Sequence, residues 1–236
     1  GTSATRLTNC ESIGSVTGYS YVGGIAGIVP SSDGVITSCT NHATVKSIGQ
    51  GSYIGGIVGM GRGVSLCVNF ADVTTDGNNV GGLAGQISPD NNGQGMSDCM
   101  NVGNVKGRSI VGGLAGDCSA AENGNNYSIG RIEATDKYAG LLVGGYNNDP
   151  SRAFENTYYV KQGVVVENGV STQGKYCGYL GSGAISAAAQ AIKPADVSSG
   201  KLAYMLAKNS GDAWGQELGK GAYPVLNGMA VYFSGS

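Results

Sequence analysis

Histidine is almost missing from this sequence: His42 is the one copy in 236 residues. A histidine-based zinc site or a Ser-His-Asp triad has little to draw on, and His42 itself reads as a surface residue. Charge is scarce as well. Asp, Glu, Lys and Arg make up 13% of the chain and the net charge is −2, where soluble domains usually carry about 25% charged residues. The 14 basic residues are scattered, which leaves no electrostatic footprint for nucleic acid or an anionic membrane. No apolar run reaches the roughly 18 residues of a transmembrane helix, so no membrane insertion is expected. HExxH, the Gly-x-Ser-x-Gly elbow and a Lys-Ser/Thr after a glycine string are all missing. So is an initiating Met. The chain opens on Gly1, which reads as a trimmed start, with other domains of a longer polypeptide among its expected partners.

What the chain has is glycine, 43 copies, and a repeat. The string at Val22–Gly27 returns at Ile54–Gly59, Val80–Gly85 and Val111–Gly116, with a blurred copy at Ala139–Gly144. The copies start 32, 26, 31 and 28 residues apart, and a period near 30 residues marks stacked units rather than one compact globule. Each unit has an upstream half: Cys10–Val16, Cys39–Val45, Cys67–Val73, Cys99–Val105 and Asn126–Ile132. The unit reads Cys-x-(Asn/Ser)-x-(Gly/Ala)-x-Val, a variable link, then Val-Gly-Gly-(Ile/Leu)-(Ala/Val)-Gly.

Short β-branched runs broken by Gly, Asn and Asp read as strands and turns, and the links are too short for intervening helices. The expected fold is all-β: a parallel β-helix or solenoid of five to six coils, right-handed by preference, with two or three strands per coil. At a spacing of about 4.8 Å the stack would be roughly 25–30 Å long. Three apolar ladders should point inward: Val16, Val45, Val73, Val105 and Ile132; Val22, Ile54, Val80 and Val111; Ile25, Ile57, Leu83 and Leu114. Glycines form the repeat corners: Gly23, Gly24 and Gly27; Gly55, Gly56 and Gly59; Gly81, Gly82 and Gly85; Gly112, Gly113 and Gly116. A bend there lets two apolar residues three apart both face inward. Cys10, Cys39, Cys67 and Cys99 share one slot and read as a buried ladder of small apolar thiols. Disulfides between coils and a metal ladder are the alternatives. Cys118 and Cys177 fall outside the slot.

The repeats are expected to occupy residues 1–180, and a helical and aromatic cap residues 181–236. Phe154–Val160 and Tyr176–Leu180 read as strands. Ile185, Ala188, Ala189 and Ile192 fall at helical spacing up to Lys193-Pro194. A second helix, capped by Asp196 or Ser198, runs to about Lys208. Such a lid would protect the strand edges exposed at a solenoid's end. Trp214, the only tryptophan, reads as core, with a sugar-stacking platform as the alternative.

The strings Val80–Gly85 and Val111–Gly116 resemble the GLUG motif, named for a Gly-Leu-x-Gly core. The tail at Ser199–Leu206, Trp214–Leu218 and Tyr223–Leu226 resembles the segment that follows such repeats. The tandem copies look most like those of large bacterial surface proteins, including gut commensal surface proteins and accessory regions of immunoglobulin-A peptidases. The resemblance implies a parallel β-solenoid and an extracellular, cell-surface setting, and it supplies no activity. The copy at Ala139–Gly144 departs from the pattern by lacking the second glycine.

A β-helix enzyme acting on polysaccharide needs carboxylates converging on one face. The column before the inward valine holds Ser15, Thr44, Asp72, Asn104 and Arg131. The column after it holds Thr17, Lys46, Thr74, Lys106 and Glu133. Neither gathers acids, although Asp90, Asp98 and Asp117 offer a loop-built cluster. The Asp/Asn loops at Pro89–Gly93 and Tyr146–Pro150 carry calcium-type oxygens but read as turns. No cofactor is expected. The function expected is therefore a non-catalytic module, an adhesin-like or ligand-presenting stalk, facing an unidentified host or microbial surface glycan or protein. The alternatives are a β-helix lyase or glycosidase, and a substrate-positioning module of a surface peptidase.

Overall fold

The computed structural model describes residues 5–31, 33–120, 122–147, 154–160, 164–180 and 189–228. The chain winds into a parallel β-solenoid of about six turns. Each turn crosses four faces. The first coil shows the order: Arg6–Thr8 on face one, Glu11–Ser12 on face two, Ser15–Gly18 and Val22–Gly23 on face three, Ala26–Ile28 on face four. Equivalent strands stack coil on coil into sheets of five, seven, ten and six strands. The register follows the repeat: Val73 pairs with Val45 and Val105, and Ala84 with Val58 and Ala115. Among the described residues, Val170–Gln173 departs from this order by folding back antiparallel on Val164–Glu167, and Trp214–Gly215 pairs antiparallel with Val225–Leu226 outside the stack.

The first three coils carry five strands each, many of only two residues, where two or three strands were expected. The reason lies in left-handed corner residues. Between faces one and two every coil places a residue with positive φ: Asn9, Ser38, Leu66, Asp98, Asn125 and Asn156. Tyr21, Tyr53, Asn79, Ile110 and Tyr138 do the same on face three, just before the glycine strings. Between faces one and two, and at Tyr21 and Tyr53, such a residue turns the chain sharply and falls outside the strands, whereas Asn79, Ile110 and Tyr138 lie within Asn78–Gly81, Val105–Gly112 and Ile132–Gly140.

Inside, the ladders are closed. Val45, Val73, Val105, Ile132 and Val165 stack in one buried cluster with Ile54, Val80 and Val111. Ile57, Leu83, Leu114 and Leu142 belong to a second cluster, together with the cysteine column. Val16 and Ile25 in the first coil are half-buried. All six cysteines are free. The thiols of Cys39, Cys67 and Cys99 donate to the carbonyls of Thr37, Ser65 and Ser97 at 3.3, 3.1 and 3.1 Å. Cys118 takes the register position of Ile87 and Tyr146, and Cys177 that of Val143.

The two clusters are separated along each coil by a polar column that the motif contains but that hydrophobic reasoning passes over. The Asn of Cys-x-Asn points inward. Asn41 donates to Asn69 Oδ1 at 2.7 Å, Asn69 to Asn101 Oδ1 at 2.7 Å, and Asn101 to Ser128 Oγ at 3.5 Å. Each amide also donates to the carbonyl two residues on, Ala43, Ala71 or Gly103, at 2.7–2.8 Å. Asn41, Asn69 and Asn101 are fully buried, and the network satisfies groups that would otherwise be costly to desolvate.

This column gives the second glycine of each corner its role. A Cβ on Gly56 would strike the Asn69 side chain and the Gly82 carbonyl oxygen; one on Gly82 would strike Asn101 and the Gly113 carbonyl. Where the fifth copy substitutes Leu141 for that glycine, the next coil has Tyr159 in the asparagine register, and both pack with the apolar cluster of face three. The polar ladder ends where the glycine does.

The carboxyl-terminal segment differs from the reading of the sequence. Ile185 and Ala188 lie outside the described residues, but Gln190–Ile192 is a strand, pairing in parallel with Tyr158–Val160. Face two therefore runs past residue 180. Helix α1 spans Pro194–Ser198 and helix α2 Lys201–Ser210. Gly200, not Asp196 or Ser198, sits at the N-cap of α2; Asp196 instead accepts from the Lys193 backbone at 3.1 Å. The helices do not close the end of the stack. They pack sideways against outward residues of face two: Leu202, Leu206 and Trp214 share a cluster with Val68, Met100, Tyr127, Tyr158 and Ile192. The outward x of Cys-x-Asn changes from Glu11 and Thr40 to Val68, Met100, Tyr127 and Tyr158. Apolar area exposed on that flank is the driving force that draws the tail back along it.

Candidate binding site

Inward positions repeat from coil to coil, whereas outward positions do not. A site must come from the outward ones, and the corner between faces one and two is where they form a concavity. The corner residues Asp98 and Asn125 are register neighbours on adjacent coils. The Asp98 backbone N–H donates to the Gly124 carbonyl at 3.2 Å and that of Asn125 to the Glu155 carbonyl at 3.0 Å. Trp214 arrives from the tail, and its indole Nε1 donates to Asp98 Oδ1 at 3.1 Å. Trp214 is buried and tilted against Tyr127 at 5.4 Å, so it is a core anchor beneath the site rather than a stacking platform.

A cleft of about 400 Å³ opens beside this contact, within the range of about 300–1,000 Å³ usual for small-molecule sites. Its walls are the corner residues Asp98, Asn125 and Asn156 with Glu155 beside them on one side, and the last turn of α2, Asn209 and Ser210, on the other. Asn125 Nδ2 donates to Asp98 Oδ1, which fixes the orientation of the amide. Its oxygen Oδ1 then has no hydrogen-bond partner among the described residues, although Asn125 is only 6% exposed. The carbonyl end of α2 adds partial negative charge.

A second, more open hollow of about 590 Å³ lies on face three, lined by Gln50, Asp76, Arg108 and Asp136. Arg108 reaches over one coil to donate to Gln50 Oε1 at 3.1 Å, and Ser109 Oγ bonds Asp136 at 3.2 Å. Its Gln50, Arg108 and Asp136 side chains are thus engaged with one another or with Ser109.

The sequence-derived acid cluster does not assemble. Asp98 bonds to Trp214 and Asn125; Asp117 accepts from Asn147 at 2.9 Å and Gln86 at 3.4 Å on face four. Asp90 closes its own turn by accepting from the backbone of Asn92 and Gln94. The Pro89–Gly93 loop is thus a side-chain-closed turn, while the Tyr146–Pro150 loop lies partly outside the described residues. Glu133, in the column after the inward valine, is tied to Lys106 at 2.7 Å and Arg131 at 3.3 Å. His42 stacks on Phe70 at 4.9 Å and sits 3.6 Å from Glu11 at the surface. Burial pushes the thiols of Cys118 and Cys177 up to about 12, the behaviour of packing groups rather than nucleophiles. Sequence reasoning missed Asn125. Its one signal was an Asn in the left-handed corner position, where the chain offers no period strong enough to single it out.

No protein-family model matches the chain, and no curated protein matches it. Among solved structures, it is similar to the crystal structure of a putative immunoglobulin A1 protease from Bacteroides ovatus, with 18% identity and a TM-score of 0.49. The match covers 94% of this chain and 57% of that one, so this chain spans little more than half of that protein's length.

Proposed function

We propose that the chain is a non-catalytic, GLUG-type module of a secreted or cell-surface bacterial protein, a stiff stalk that presents a ligand-facing cleft. The observation that carries this reading is the division between inside and outside. Asparagine, cysteine and valine ladders lock the interior of successive coils into one register, while unlike polar side chains gather at the corner beside Asp98 and Asn125. A closed, hydrogen-bonded core gives rigidity, and non-repeating outward residues on a rigid frame are where recognition resides. Glu133 of the repeat columns is engaged in ion pairs, Asp72 accepts from the Asn104 backbone of the next coil and the loop acid Asp90 closes its own turn, which favours binding over glycoside cleavage.

The test is protease shaving of intact producing cells, followed by mass spectrometry, together with incubation of the purified chain with plant, bacterial and host polysaccharides. Peptides from this chain released from whole cells, with no new reducing ends or unsaturated products, are the expected outcome. Protection of the chain until lysis would remove the surface setting, and product formation would replace the binding module with an enzyme.

A further inference from the structure

The hollow on face three is assembled one coil at a time. Its lining takes Gly49 and Gln50 from the second coil, Asp76 from the third, Arg108 from the fourth, and Thr135 and Asp136 from the fifth. The floor is stacked backbone at a closeness that glycine permits. A Cβ on Gly51 would strike the Tyr19 carbonyl oxygen, and one on Gly77 the Gly51 carbonyl oxygen. The Arg108 backbone N–H donates to the Gly77 carbonyl at 2.7 Å, which carries the floor on to the fourth coil. With coils spaced about 4.8 Å apart, the line from Tyr19 to Asp136 makes a groove roughly 19 Å long.

The two ends of this groove differ in chemistry. At the amino-terminal end the Tyr19 ring lies 3.8 Å from where a Cβ on Gly49 would stand. The Ile48 backbone N–H donates to the Gly18 carbonyl at 2.7 Å, which sets Ile48 beside Tyr19. Tyr19 and Ile48 are 66% and 63% exposed. Scattered singly, such residues are ordinary; paired at the mouth of a polar hollow, they form a platform. Further along, the polar groups orient one another. Arg108 donates to Gln50 Oε1 at 3.1 Å, which leaves Gln50 Nε2 as a donor to a ligand. Ser109 holds Asp136 Oδ2 at 3.2 Å, which leaves Oδ1 as an acceptor. Groups oriented beforehand lose less freedom on binding.

A ring with C–H groups on its face and hydroxyls at its rim fits both ends. The C–H groups meet the electron-rich face of Tyr19, and the hydroxyls meet side chains that both donate and accept. An anion would face the two carboxylates of Asp76 and Asp136 against the one guanidinium of Arg108. A folded protein partner anchors itself through a side chain desolvated in a deep pocket, whereas this hollow is open. We infer that the face-three groove binds a neutral oligosaccharide laid along the stack, with Tyr19 as its platform and Gln50, Asp76, Arg108 and Asp136 bonding its hydroxyls. This rests on the reading of the chain as a ligand-presenting module and concerns a different face from the Asp98 cleft.

The experiment is a printed array of neutral, sialylated and sulfated oligosaccharides. Titration calorimetry follows, with the strongest neutral hit and its fragments down to the monosaccharide. Tyr19→Ala and Gln50→Leu change exposed side chains and should keep the thermal transition of the parent. Each is expected to weaken binding about tenfold or more. Tyr19→Trp should bind like the parent, and affinity should fall as the sugar chain is shortened. Preference for charged glycans, full affinity in Tyr19→Ala or Gln50→Leu, or equal affinity for the monosaccharide would each overturn the inference. So would a loss in Tyr19→Trp equal to that in Tyr19→Ala, or a blank array. Array binding that survives both Tyr19→Ala and Gln50→Leu removes this groove but leaves the ligand-presenting module standing. The surface setting of that module stands or falls on the shaving experiment.

Discussion

Trp214 Nε1 lies 3.1 Å from Asp98 Oδ1, a contact between residues 116 positions apart. It ties the tail to the fourth coil and seats the indole over Tyr127, whose hydroxyl donates in turn to the Pro224 carbonyl. Trp214→Phe keeps most of the apolar contact and loses the hydrogen bond to a carboxylate. The expected loss is about 1.5–3 kcal/mol, measured by urea unfolding. A variant as stable as the parent would show that the tail is held by apolar packing alone.

Asn69 is the centre of the inner amide column. Asn69→Ala removes the donor to Asn101 Oδ1 and the partner of the Ala71 carbonyl. With each buried group stranded at about 1–3 kcal/mol, the variant should lose about 3 kcal/mol or more. His42→Ala, one position beyond the equivalent Asn41 but outward-facing, should stay within about 0.5 kcal/mol. Equal effects from the two would contradict an inward amide column.

Gly82→Val places a branched side chain against Asn101 and the Gly113 carbonyl. Neither can move without breaking the coil-to-coil register, so the variant should unfold at markedly lower temperature or fail to express. Gly93→Ala is the comparison, because a Cβ there meets nothing within 4 Å. Its φ of 83° limits the expected cost to roughly 1–2 kcal/mol. Circular dichroism melts of both decide the point.

The thiols supply a pH test. Five of the six cysteines are buried, and Cys10 is half-buried. A thiol reagent at pH 8 should modify Cys10 alone in the native chain and all six after guanidinium is added. Burial raises Cys118 and Cys177 from the ordinary 9.0 to about 12. The folded state then holds protons that the unfolded state releases, so stability should be unaffected by these groups below about pH 9 and should fall as pH rises from there toward 12. Cys118→Ala with Cys177→Ala should flatten that decline. An unchanged alkaline slope would mean that other groups set it.

Much of the architecture was legible in the chain because a stack imposes its period on the residues that face inward. Val73, Leu83 and Cys67 recur since each touches its own equivalent one coil away, and that demand is written at every repeat. The asparagine of Cys-x-Asn was equally periodic, yet apolar patterning assigns it no place inside. Only its neighbours above and below, each supplying the missing donor or acceptor, make its burial tolerable. The apolar drift of the outward x positions, from Glu11 to Tyr127, was also in view and signalled that this flank is covered.

By itself, then, the sequence determined the repeat, the parallel stacking and the inward ladders, all of which depend on contacts between like residues in adjacent coils; of the glycines expected at corners, only Gly24, Gly56, Gly82 and Gly113 lie between strands, and the rest lie within them. Tertiary structure alone decided that the tail lies along face two rather than over the end, that Gln190–Ile192 is a strand, and that Asp98, Asn125, Glu155 and the end of α2 share one cleft. Those relations join unlike residues far apart in the chain. They arise when an apolar flank and an apolar helix are buried together, and no local period can announce them.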